Sequence, residues 1–155
     1  VGGARFRYAL QPVALQRQWA VDELQRELAA GNAALAERRA ACEALQGEVA
    51  QAELQWRALG HGRQMVSVDQ FALLSRYLAD RRARLLAAQR GLEQQRQECE
   101  RVVEQLVAAQ RRLDAVQEHK ARMWTQFVKL RLSGEFKVAD EQWNVLQAGM
   151  AEHGN

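Results

Sequence analysis

Five side chains of this sequence could hold a metal or act as nucleophiles: His61, His119, His153, Cys42 and Cys99. A structural zinc site draws its ligands from short paired spacings such as C-x2-4-C and H-x3-5-H, and nothing of that kind occurs here. The sequence also lacks HExxH, CxxC, a Walker A loop and a glycine-rich dinucleotide fingerprint. A reactive thiol needs a base or cation beside it. Both cysteines instead fall on an apolar stripe, where inert buried thiols are expected. No catalytic residue, metal site or cofactor is therefore expected.

Two other residue classes could carry binding chemistry. Arginines cluster at Arg38-Arg39, Arg81-Arg82-Arg84 and Arg111-Arg112, interleaved with Glu and Gln. That pattern predicts a solvated helix face with i,i+4 pairs, or a docking surface for an acidic partner. Nucleic acid would call for aromatics beside the cations, and the clusters mostly lack them. Among the aromatics, Trp56, Phe71 and Phe127 fit core positions, whereas Trp19, Tyr77, Trp124 and Trp143 do not. Trp124 is expected level with Phe6 and Tyr8, closing an aromatic clasp. Tyr77 and Trp143 have no evident intramolecular partner, and exposed aromatics favour interfaces.

The elements that must position these residues follow from composition and period. The 155 residues include 26% charged and 6% aromatic residues, one proline and a net charge of +3. Ala, Leu, Gln, Glu and Arg dominate, which is the profile of long helices and coiled coils. No apolar run is long enough to span a membrane, and the opening VGGARFRY has no signal-peptide core. With two cysteines the default compartment is reducing and cytoplasmic.

Apolar residues recur at alternating steps of three and four in two runs. The first is Ala14, Arg17, Val21, Leu24, Leu28, Gly31, Leu35, Arg38, Cys42, Leu45, Val49, Ala52, Trp56, Leu59, with eleven of fourteen apolar. The second is Phe71, Leu74, Leu78, Arg81, Leu85, Ala88, Leu92, Gln95, Cys99, Val102, Leu106, Ala109, Leu113, Val116, Lys120, Met123, Phe127, Leu130, with fifteen of eighteen apolar. Runs of this length define a coiled-coil seam. Pro12 sits where a first-turn proline loses no hydrogen bond. Gly60-His61-Gly62 breaks the period, and Ser67 or Asp69 offers the next N-cap.

The expected fold is all-α: a long antiparallel two-helix hairpin, the second helix overhanging the first. Its parts are an N-terminal extension over 1–8, the hairpin over 9–132 with a turn near 60–68, and a partly helical tail over 133–155 beginning at Ser133-Gly134. At 1.5 Å per residue the helices would measure roughly 75 Å and 95 Å. If Leu59 faces Phe71, facing residues have numbers adding to about 130, which sets Cys99 against Gly31 and Cys42 near Ala88. The cysteines would be too far apart for a bridge. In this register Arg17, Arg38, Arg81, Gln95 and Lys120 stand on the seam without polar partners, each weakening it locally.

The opening RFRYALQPVALQRQ, the long helical run, the short break and then VDQFALLSRYLADRRARL resemble the FliJ/YscO family. These are small coiled-coil stalk proteins of flagellar and virulence type III secretion systems. Asp69-Gln70-Phe71 looks like the family's polar–Gln–Phe start of the second helix, and QRRLDAVQEHKARMW resembles its basic, glutamine-rich second half. The resemblance implies a non-enzymatic stalk that enters the hexameric secretion ATPase and links it to the export gate protein, with export chaperones as further partners. It implies a peripheral place at the cytoplasmic face of the inner-membrane apparatus, with no nucleic acid bound and no insertion into the membrane. ATPase contacts are then expected at the ends of the hairpin, from Arg5, Arg7, Trp19, Trp124 and Arg131. Gate contacts are expected from Phe71, Ser75, Tyr77 and Arg82. Ser75 stands where an apolar residue would fit the family pattern, and the heptad reading itself buries Phe71. The alternative is a generic coiled-coil adaptor or chaperone-like clamp.

Overall fold

The computed structural model describes residues 4–62 and 67–154. The expected hairpin turn lies largely on 63–66 and so falls outside the described residues, as do Val1 to Gly3 and Asn155 at the ends of the expected extension and tail. Two helices account for nearly all the rest: α1, Gln11–His61, and α2, Val68–Glu152. They pack against each other, and no strand occurs among the described residues. This is the all-α, two-helix class that the periodicity predicts.

Local chemistry explains the ends of both helices. The Gln11 amide donates to the Tyr8 carbonyl oxygen (3.1 Å), and Pro12 follows inside the first turn, where its missing N–H costs nothing. Ser67 is the N-cap of α2, its Oγ accepting from the Gln70 amide at 3.1 Å. That leaves Asp69 in the first turn, where a carboxylate complements the helix dipole. One expected boundary is kept and one is not: α1 ends at His61, within Gly60-His61-Gly62, whereas α2 runs straight through Ser133-Gly134. A glycine inside a helix costs about 0.8–1 kcal/mol, which a helix already nucleated by packing absorbs when its neighbours are good formers.

The helices divide into two compact units, one of Val1–Val21 with Ala109–Asn155 and one of Asp22–Ala108. In the second unit Val49, Ala52 and Leu78 form a buried cluster, with Leu74 and Leu85 against it. Its pairing follows the expected register. Gly31 lies against Cys99, so close that a Cβ on Gly31 would stand 3.0 Å from Sγ. Glu48 meets Arg81 at 3.2 Å, and Trp56, one turn before the expected Leu59, packs tilted against Phe71 with centroids 4.2 Å apart. In the first unit Phe6 lies 5.2 Å from Trp124, and Lys120 donates to Gln11 Oε1 at 3.0 Å. Among the described residues all the buried apolar ones, Val21, Cys42, Val49, Ala52, Leu78, Cys99, Val102, Ala109 and Leu113, belong to the two heptad series. Both cysteines are free and buried.

The seam's polar residues require a correction, because three of the five are partnered. Arg81 forms an ion pair with Glu48, although Arg81 Nε and Glu48 Oε2 are buried without a hydrogen bond, Lys120 donates to Gln11, and Gln95 Nε2 donates to the Gly31 carbonyl oxygen at 3.3 Å. Arg81 and Lys120 meet partners within one residue of the level that faces them, whereas Gln95 reaches a turn along the helix to Gly31. The Arg38 guanidinium lies over Gly91, whose missing side chain leaves it room.

Candidate functional site

The N-terminal segment forms one candidate site. It lies along α2, where Phe6 packs edge-on to Trp124 and at 5.5 Å from Phe127. The Tyr8 hydroxyl stands 2.6 Å from His119 Nδ1 and 3.4 Å from the Val116 carbonyl oxygen. This is the expected clasp with one addition, His119. The facing rule places His119 close to Tyr8 and would have found it. Around the clasp runs an open groove of about 470 Å³ lined by Arg5, Phe6, Arg7, Tyr8, Met123 and Leu130, among others.

Arg5 and Arg7 are exposed and make no ion pair among the described residues. Trp124 keeps half its surface in solvent despite its partners, and Trp19 is more exposed still. Arg131 pairs with Glu135 one turn on, at 3.7 Å. Arg5, Arg7 and Trp124 are thus gathered in one neighbourhood, with Arg131 one turn beyond Phe127. Beyond Leu130 every described residue of α2 is exposed, including Phe136, Trp143 and Met150.

The start of α2, in the other unit, carries the second set. Phe71 lies on Trp56 yet remains 45% exposed, so it is both seam and surface. Ser75 and Arg82 share a shallow groove with Trp56 and Glu53, and Arg82 is held by Glu53 at 2.9 Å. Tyr77 belongs to a different groove, with Ala52, Leu73 and Leu74. It is partnered after all, since the Arg81 guanidinium sits 4.9 Å over its ring. Phe71, Ser75 and Arg82 therefore share one flank and Tyr77 stands on another.

The arginines mostly read as a solvated face. Arg84 pairs with Asp80, Arg101 with Glu98, and Arg96 with both Glu93 and Glu100. The hydrogen bond from Arg96 holds the Glu93 carboxyl below its usual range, and that pairing raises the guanidinium in turn. Among the described residues no group of three His, Cys, Asp or Glu could hold a metal ion. No described helix is long and apolar enough to cross a membrane. The chain matches no family model, no curated protein and no solved structure.

Proposed function

We propose that the chain is a non-enzymatic stalk of a type III secretion export apparatus. It seats its N-terminal clasp and the adjoining part of α2 in the secretion ATPase hexamer, and presents the start of α2 to the export gate. It works at the cytoplasmic face of the inner membrane, peripheral to it. One observation supports the docking role most directly. From Leu130 onward α2 carries Leu132, Phe136, Trp143, Leu146 and Met150, all exposed, next to a clasp with two unpaired arginines. Apolar side chains displayed in such number mark an interaction surface. The sequence motifs supply the partner, through the resemblance to the FliJ/YscO family.

A two-helix stalk inside a six-membered ring can touch only some subunits at once. It can thereby bias subunit assembly or sequential turnover without performing chemistry. In the other unit, Phe71, Ser75 and Arg82 form one flank for the gate protein, which leaves Tyr77 outside that contact. Native mass spectrometry of the chain with a type III secretion ATPase and nucleotide tests the reading. The expected product holds one chain per six ATPase subunits, with raised ATP turnover, and the R5E/R7E variant binds more weakly. A chain that never joins the ATPase, whatever its own oligomeric state, replaces the stalk with a generic coiled-coil adaptor.

A further inference from the structure

Past Leu130 the apolar stripe of α2 changes face. The hairpin seam, continued in step, would meet Gly134, Lys137 and Glu141. A new stripe opens instead at Leu132, Phe136, Ala139, Trp143, Leu146 and Met150, spaced four, three, four, three, four. Leu132 stands about 140° round from Phe127 and about 160° the other way from Leu130, so the new stripe lies nearly opposite the old one. Its members stay within a narrow sector for five turns, as a coiled-coil seam requires. Leu132 is 49% exposed, Phe136 69%, Trp143 62% and Met150 74%. It is a second seam with no partner among the described residues.

The geometry points to a second copy of this chain as that partner, paired antiparallel. The spacing reads the same in both directions. Reversed on itself it sets Leu132 against Met150, Phe136 against Leu146 and Ala139 against Trp143, so that each layer joins the two kinds of seam position. The pairing also matches volume, because the indole falls opposite the small Ala139 in both halves.

Length agrees as well. In this register Glu152 of the second copy ends level with Leu130, just short of Phe127, where the N-terminal segment begins to cover α2. The stretch from Leu130 to Glu152 thus accommodates its own twin without displacing the N-terminal segment. Beside the stripe most facing groups are neutral, with Gln142 meeting Gln142 and Ser133 meeting Gln147. Asp140 alone meets its own charge. Four aromatic rings of about 150–250 Å² each and six Leu or Met side chains offer roughly 1,000 Å², where specific interfaces begin.

Such a dimer buries the same apolar side chains of α2 that the stalk reading offers to the ATPase, so the two compete for that face, and the dimer stands without that reading. Sedimentation velocity of the full chain alone is the test. A concentration-dependent dimer is expected, weakened more than about tenfold by W143A and tightened about two- to fivefold by D140N. Trp143 is exposed, so circular dichroism of W143A should show unchanged helicity. Oxidised D140C should cross-link to itself, because the two positions meet at the dyad of an antiparallel pair and lie on opposite sides of a parallel one. A chain that stays monomeric at tens of micromolar overturns the proposal. So does a dimer indifferent to W143A, or one that D140C does not cross-link.

Discussion

Replacing Gly31 by alanine tests the packing register where it is tightest. In an open helix interior, Gly→Ala stabilises by about 0.8–1 kcal/mol. Gly47 is such a position, with nothing within 4 Å of a built Cβ, and G47A should show the full gain. For a chain of this size that raises Tm by roughly 2–4 °C. At Gly31 the same methyl meets Cys99 Sγ at 3.0 Å, and Cys99 is only 8% exposed. Its short side chain has little space to yield, and Gln95 also lies there, bonded to the Gly31 carbonyl oxygen. Overpacking costs about 1–3 kcal/mol, so the net change for G31A runs from about zero to about 2 kcal/mol destabilising. Urea denaturation followed by far-ultraviolet circular dichroism resolves the two variants. Adding C99A removes the obstructing sulfur, and the double variant should be less destabilised than the sum of the singles by about 1–2 kcal/mol. If G31A gains as much as G47A, and its effect simply adds to that of C99A, the helices do not face each other in this register.

Three further outcomes follow from other contacts. F6A removes two ring contacts, each worth about 0.5–1.5 kcal/mol beyond area burial, so amides around Tyr8 should exchange much faster while those of the Val49–Leu78 cluster do not change. Unaltered exchange near Tyr8 would show that the clasp does not hold the segment. R81M strands Glu48 between the helices and gives up the stack on Tyr77, for about 1–2 kcal/mol discounted for partial exposure. R81M/E48L should recover most of that in thermal melts, and an equally unstable double variant would refute it. Glu93 is depressed by Arg96, so the bond contributes above the ordinary carboxylate pKa and is lost as pH falls through the lowered one. In R96Q the Glu93 carboxyl, followed by NMR, should titrate higher; no movement would mean the two do not pair in solution.

The sequence by itself determined the helices, their seam and their antiparallel register. That information is periodic and local: a three-four repeat names the face each helix must bury, and a short break between two such faces leaves only one economical pairing. Leu59 opposite Phe71 was enough to place Cys99 on Gly31 and Phe6 beside Trp124. The second stripe, from Leu132 to Met150, is written in the same code. Without the helix continuing through Gly134, however, it reads as scattered apolar letters in a tail.

Only the tertiary structure decided how the polar seam residues are partnered. Glu48 lies at the level that faces Arg81, but whether the two side chains meet there depends on how their stems leave the crowded seam. Gln95 reaches a turn beyond its own level to the Gly31 carbonyl oxygen, a partner that residue levels alone do not name. The same holds for Phe71, whose seam position and exposure coexist because Trp56 covers one side of its ring and leaves the other in solvent. It also split the expected gate residues. Spacing along the sequence puts Tyr77 near Ser75, but two positions on a helix turn the side chain about 200°, and the neighbouring helix then assigns each flank its own groove.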